Sequence, residues 1–304
     1  MSGADPVGVV GLGNMGGRIA RRIVERGVRV IGHDSDPARA AQAGVERAAS
    51  LPELLGAVEV VLLSLPDSRV VESVVAGAGG ILGNGRAGQV VVDLSTAAPS
   101  STVALHAQLA ERGIDFVDAG ISGGAAAAER GTLTIMAGGD AAALERARPL
   151  LGLFATNVHH MGASGSGHTA KLLNNLLNGV SLAATAEVMV VARKAGLDLH
   201  QFLDVVNSSS GVNFATLNRF PRIIEGDYLE GGLTSNLMAK DLMLYLELAR
   251  ELEVTSLNGP ACLANFHLAA ALGYGEQISN RVVDALGDIA GGVRLSDGGD
   301  APAG

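Results

Sequence analysis

Lys171, Asn174 and Asn175 stand at i, i+3 and i+4 in a segment of helical period, so a cation and two amides share one face. Leu172, Leu173, Leu176 and Leu177 turn elsewhere. A lysine amine placed this way can exchange a proton with a substrate oxygen, which the neighbouring amide orients. The competing account lets Lys171 carry its charge to water from a helix end while the two amides cap a loop. A second set opens the chain. The apolar run Val7–Val10 meets Gly11-Leu12-Gly13-Asn14-Met15-Gly16 and passes into a helical pattern over 18–26. Gly11 permits a tight turn, Gly13 lets the backbone approach a pyrophosphate, and Gly16 lets helix pack closely on strand, with the helix N-terminus facing the anion. Asp34, 18 positions after Gly16, closes a second apolar run over 28–31. Its carboxylate can accept both hydroxyls of an adenine ribose and would repel a 2′-phosphate. Ser35 and Asp36 offer no arginine to neutralise such a phosphate, so NAD is expected over NADP. The competing account makes Asp34 and Asp36 loop residues that cap the helix begun at Pro37.

These residues need elements to hold them. Up to about residue 160, strands alternate with helices. Residues 58–65 and 90–94 are near-continuous apolar runs of the kind buried parallel strands show, and 114–117 and 133–137 read as later strands. Helices begin near Ala38, Ser68 and Ser100, each after a proline or a small polar residue. The chain then turns glycine-rich at Gly162-Ala163-Ser164-Gly165-Ser166-Gly167, and from there on it is helical in period: 168–194, 200–206, 237–252, 259–272 and 277–290. The first of these spans about 27 residues, roughly 40 Å. The expected architecture is α/β: a Rossmann-type doubly wound sheet over 1–163, then an all-α domain over 164–295 opened by a long interdomain helix, and a disordered tail over 296–304.

Composition narrows the function classes. Hydrophobic residues make up 48% of the 304 and aromatics only 3%, with no Trp, so the core is built from Ala, Val and Leu and no aromatic platform for nucleic acid exists. A net charge of −9 disfavours polyanionic partners, so a small anionic substrate needs locally placed cations. The N-terminus lacks the basic start of a secretory signal. The charge-free stretches 149–170 and 254–275 are broken by Gly, Asn, His or Pro and do not read as membrane spans. The single cysteine, Cys262, has no internal partner, which suits a reducing cytoplasm and a small core residue. His159 and His160 are adjacent, and no His/Asp/Glu set falls at ligand spacing, so no metal site is expected.

Four separated segments together resemble the β-hydroxyacid dehydrogenase family, which includes 3-hydroxyisobutyrate dehydrogenase and tartronate semialdehyde reductase. They are Val9 to Gly16; Asp118-Ala119-Gly120-Ile121-Ser122-Gly123-Gly124, continuing to Gly131-Thr132-Leu133-Thr134; Gly165-x-Gly167-x-x-x-Lys171-x-x-Asn174-Asn175; and Lys240-Asp241-Leu242. The resemblance implies that Lys171 is the catalytic lysine and that Asn175 orients the substrate beside it. It implies that Ser122, Gly123 and Gly124 hold the substrate carboxylate, that Asp241 lines the site and that Lys240 closes over the cofactor. Gly11, Leu12, Gly13, Asn14, Met15, Gly16, Asp34, Leu65, Pro66 and Thr96 would hold the dinucleotide. For alcohol oxidation Lys171 must act as a neutral amine, although a free lysine titrates near about 10.4. The family loop commonly carries Pro-Val where this chain has Gly120-Ile121, which predicts a more flexible loop. The family also implies a homodimer or homotetramer.

The expected activity is hydride transfer between NAD and a small 3-hydroxycarboxylic acid, 3-hydroxyisobutyrate or tartronate semialdehyde/glycerate. Three other readings compete. Imine reductases share the architecture but usually replace the lysine. Gly120-Ile121-Ser122-Gly123-Gly124 also satisfies a serine-hydrolase elbow, with His159, His160, His168, His200 and His267 downstream. A non-catalytic NAD-binding protein would have no use for a base at Lys171.

Overall fold

The computed structural model describes residues 5–296, so the tail expected over 296–304 lies beyond Ser296, outside them. The contacts divide the chain into two compact units, parting between Lys171 and Leu172. The first begins with β1 (Val7–Val10), α1 (Asn14–Glu25), β2 (Val30–His33), α2 (Ala38–Ala43), β3 (Glu46–Arg47), α3 (Leu51–Ala57), β4 (Val60–Leu63) and α4 (Ser68–Ala76). It continues with α5 (Ile81–Asn84), β5 (Val90–Asp93), α6 (Pro99–Ala110), β6 (Asp115–Ser122), α7 (Gly124–Arg130), β7 (Leu133–Gly138), α8 (Ala141–Leu151) and β8 (Ala155–Gly162).

Eight strands form one sheet in the order β3-β2-β1-β4-β5-β6-β7-β8. Every neighbouring pair is parallel except β6 and β7. The strand order reverses at β1 and β4, which opens a crevice beyond their carboxyl ends. Val60, Leu62, Val90 and Val92 join one apolar core with Ile19 and Ile23, while Val61, Leu63 and Val91 join another with Leu54, Leu55 and Leu109. Both faces of the central strands are thus covered, which is why they read as continuous apolar runs rather than alternating ones.

Several boundaries differ from the sequence expectation. The second strand starts at Val30 rather than residue 28, because Gly27 ends α1 at φ +84° and Val28 N–H donates back to Ile23 O at 3.3 Å. β6 runs on to Ser122, since Gly120 and Ile121 pair antiparallel with Met136 and Ile135. The segment expected to be a flexible loop is therefore mostly strand. β8 carries no apolar pattern in the sequence, because only Ala155 in it is buried.

α9 (Ser166–Lys194) is 29 residues long and crosses the division between the units. The parting falls later than the expected 163/164 boundary because the first turn of α9 is docked on β6 and β7. The second unit adds α10 (Leu199–Asn207), α11 (Phe214–Asn218), α12 (Phe220–Ile223), α13 (Ser235–Glu251), α14 (Asn258–Ala269) and α15 (Val282–Ile289). Its core gathers Leu182, Ala186, Met189, Phe220, Met238, Leu242, Phe266 and Val282. Cys262 lies in that core, and burial pushes its thiol up to about 12. The helices expected over 259–272 and 277–290 are each interrupted, the first by a wide turn over Ala270–Tyr274 in which Gly273 has φ +89°, the second by a 3-10 turn over Ser279–Arg281.

Candidate active site

The glycine turn between β1 and α1 shows three different reasons for one residue type. Gly11 has φ +87°, and a Cβ there would lie 2.3 Å from Ser64 O. At Gly16 a Cβ would lie 2.0 Å from Gly11 O, whereas at Gly13 nothing stands within 4 Å. The first and third glycines let the chain close on itself, and the second leaves a bare cradle at the start of α1. A pyrophosphate fits that cradle, since the missing side chain exposes backbone at a helix N-terminus.

Asp34 follows β2 directly, and its two oxygens are already oriented. Oδ2 accepts from Leu12 N–H at 2.7 Å and Oδ1 from Asp36 N–H at 2.9 Å. Capping falls instead to Asp36, whose Oδ1 accepts from Ala38 N–H at 3.0 Å. Arg39, one turn on, pairs with Asp36 at 3.5 Å, a cation that the spacing of the motif alone does not single out. Leu12 is 3% exposed and Met15 packs against the same core, so these two offer backbone rather than side chain to a ligand. Asn14 opens α1 and accepts from Arg18. Leu65 follows β4, its N–H donating to Ser95 Oγ at 3.0 Å, with Pro66 beside it; Thr96 follows β5.

Ser122 ends β6, Gly123 has φ +126°, and α7 starts at Gly124, where a Cβ would meet nothing within 4 Å. The turn leaves open backbone to which an anion can draw close. Lys171 lies against the same strand: a Cβ on Gly120 would sit 2.5 Å from Lys171 Cβ. The start of α9 is fixed by groups that sequence reasoning left without a role. Asp118, 0% exposed, accepts from Gly165 N–H on Oδ1 and from His168 N–H on Oδ2, both at 2.9 Å. Gly167 presses onto β6 and β7, where a Cβ would lie 2.5 Å from Met136 O. The buried His168 ring meets Thr102 Oγ1 at 2.7 Å through Nδ1 and Asp93 O at 3.3 Å through Nε2. Asp93 beside it is fully buried, and desolvation raises its carboxyl above the usual range although His168 acts to lower it. His168 is thus held away from any triad with Ser122, and His160 Nε2 is engaged by Gly139 O at 2.9 Å.

Along α9 the expected trio of Lys171, Asn174 and Asn175 separates. Asn174 is exposed while Asn175 is 2% exposed and donates from Nδ2 to Asp241 Oδ2 at 2.5 Å. Asp241, also buried, pairs through Oδ1 with Lys240 Nζ at 2.9 Å. Lys240 and Asp241 therefore form an inward chain with Asn175 rather than an exposed pair on α13. Asn213 caps α11 in a reciprocal bond with Thr216, and Phe214 stays 58% exposed. Among the described residues no group of three or more His, Cys, Asp or Glu could hold a metal ion.

Comparison with known proteins covers almost the whole chain. A family model described as the NAD binding domain of 6-phosphogluconate dehydrogenase matches residues 6–162. A second, described as NAD-binding of NADP-dependent 3-hydroxyisobutyrate dehydrogenase, matches residues 165–286. The chain is 34% identical over 295 residues to 2-(hydroxymethyl)glutarate dehydrogenase of Eubacterium barkeri, across 96% of this chain and 98% of that protein. It is 36% identical over 281 residues to NAD-dependent L-serine dehydrogenase of Pseudomonas aeruginosa, across 89% and 94%. A solved structure of Mycobacterium tuberculosis 3-hydroxyisobutyrate dehydrogenase with L-serine superposes at a TM-score of 0.84 and 29% identity, across 93% of this chain and 99% of that one.

Proposed function

This chain belongs to the β-hydroxyacid dehydrogenase family, and on that premise we propose that it oxidises a small 3-hydroxycarboxylic acid with NAD, using Lys171 to move the proton. It is a nicotinamide-dependent dehydrogenase of hydroxy acids. The observation that carries the assignment of the base is the contact of the Lys171 stem with Gly120, two residues before Ser122, under a helix start clamped by Asp118.

When bound, the nicotinamide takes up the hydride in oxidation and returns it in reduction. Ser122 and the backbone at Gly123 and Gly124 receive the substrate carboxylate. Lys171, as a neutral amine, accepts the hydroxyl proton, and in the reverse direction the ammonium polarises the carbonyl and donates. Asp241 holds the Asn175 amide so that it orients the substrate, and Lys240 keeps the charge of Asp241 compensated. Asp34 favours a free ribose over a phosphorylated one, which supports NAD; Arg39 is the nearby cation through which NADP could still be admitted. 3-Hydroxyisobutyrate is the leading substrate, with L-serine, also a 3-hydroxy acid, suggested by the relatives' names, and glycerate behind. A cytoplasmic homodimer or homotetramer completes the proposal.

The test is reduction of NAD or NADP at alkaline pH with each of these acids, beside Lys171→Ala. Turnover that favours NAD and falls about 10²- to 10⁴-fold in kcat/KM in the variant, with cofactor affinity kept in calorimetry, is the expected result. A Lys171→Ala protein with wild-type turnover would remove the base from this position.

A further inference from the structure

Of the seven histidines only His168 is buried, at the start of α9 and three residues before Lys171. An imidazole so placed is costly unless both nitrogens are engaged, and both are. Nε2 faces only acceptors, Asp93 O at 3.3 Å and Asp93 Oδ2 at 3.9 Å, so the proton of the neutral ring sits there. Nδ1 is then left to accept from the Thr102 hydroxyl at 2.7 Å. Each nitrogen leads on to a turn at the carboxyl end of the sheet. On one side Asp93 Oδ1 accepts from Ser95 N–H at 2.9 Å, and Ser95 Oγ accepts from Leu65 N–H at 3.0 Å, which joins the turns after β5 and β4. On the other, Thr102 N–H donates to Ala98 O at 3.1 Å, and Ala98 N–H donates to Ser68 Oγ at 2.8 Å where α4 begins. Asp93, Ser95 and Thr102 are all buried, so water does not compete for these bonds. Both arms lie wholly in the first unit, as does Lys171.

We propose that His168 is a positioning residue that ties the turns holding the dinucleotide to the start of α9, so that filling the crevice orders the base. This inference rests on the roles given above to Leu65, Thr96 and Lys171. A dinucleotide that fixes the turns at Leu65 and Thr96 fixes Asp93 and Ala98 with them. The ring passes that order to α9 because it is held from both sides, and Lys171 stands one turn further along. The Asp118 cap ties the same helix start to β6 alone and carries nothing from β4 or β5.

Two measurements on the whole chain test it. The first is amide hydrogen exchange over 167–171 with and without NAD, at saturation checked by calorimetry, and it needs no turnover. In wild type NAD is expected to slow exchange there by about 5- to 100-fold. His168→Phe removes both arms and Thr102→Val removes one, and each should bind NAD without that slowing; where one variant fails to fold, the other decides. His168→Gln, whose amide can still donate toward Asp93 O, should recover part of it. Slowing that persists in the folded variants, or a wild-type helix start that exchanges alike with and without NAD, overturns the coupling. The second is steady-state kinetics with 3-hydroxyisobutyrate. The variants should lose about 10- to 100-fold in kcat while KM stays within about threefold. A ring that only stabilises the fold would lower the melting temperature and leave kcat per folded molecule unchanged, which overturns the positioning role. Wild-type turnover in Lys171→Ala would instead remove the base assigned above, and the exchange result would still decide whether crevice and helix are coupled.

Discussion

Gly13 and Gly16 share a motif and a residue type, but substitution should separate them. An alanine at Gly16 would place its Cβ 2.0 Å from Gly11 O, so the turn itself must move, at a cost of about 3 kcal/mol or more. An alanine at Gly13 would meet no protein atom within 4 Å. Gly13→Ala should therefore leave the apoprotein within about 1 kcal/mol of wild type in urea while weakening NAD binding in calorimetry. Asp93 supplies a second residue-scale prediction. Its carboxyl is raised chiefly by burial, so the folded state holds a proton over a pH range where the unfolded chain has already lost it. Wild-type stability contributed by this group is then fullest below the unfolded value and declines as pH rises from about 4 toward the folded value. Asp93→Asn retains the acceptor used by Ser95 N–H and has no charge to desolvate. Melting temperatures across pH should show the variant gaining on wild type from about pH 4 upward and then running parallel; a gap that closes with rising pH would reverse the sign.

At the scale of elements, α9 is steered by its first turn. Asp118 satisfies two backbone donors at the helix start, a position where a carboxylate also meets the positive end of the helix dipole. Asp118→Asn can satisfy only one of those donors with its oxygen and loses the charge. A loss of about 1–3 kcal/mol in urea is expected, and with it a lower kcat, because Lys171 stands one turn further along. Retention of wild-type kcat in a destabilised protein would show that the cap holds the fold without setting the base. The sequence made the pieces of this arrangement visible and their connection invisible. Gly167 and Lys171 belong to one motif, and Asp118 to another 47 residues before Gly165. Nothing in helical period says that a buried aspartate at a strand will reach back to cap a helix beyond the glycine-rich turn. Likewise the continuous apolar strands β1, β4 and β5 were legible because both their faces are covered. β8, with Thr156, Asn157, His159 and His160 turned outward, carries no apolar rhythm to read.

At the scale of the whole chain, class and cofactor type were open to sequence because glycine spacing reports backbone geometry directly. Substrate choice was not, because a helical period leaves the direction of side chains such as Asn213, Phe214 and Arg219 undetermined. The core of the second unit also has a use beyond catalysis. Cys262 is the only thiol in 304 residues, and it is buried with its ionisation pushed up to about 12. Since thiolate is the reactive species, the native protein should give no fast reaction with a disulfide reagent at neutral pH and should give one equivalent in denaturant. The folded protein is then, to a maleimide, a cysteine-free background. A fluorophore or spin label attached at any added surface cysteine would report from that position alone, with the wild-type core left as it is.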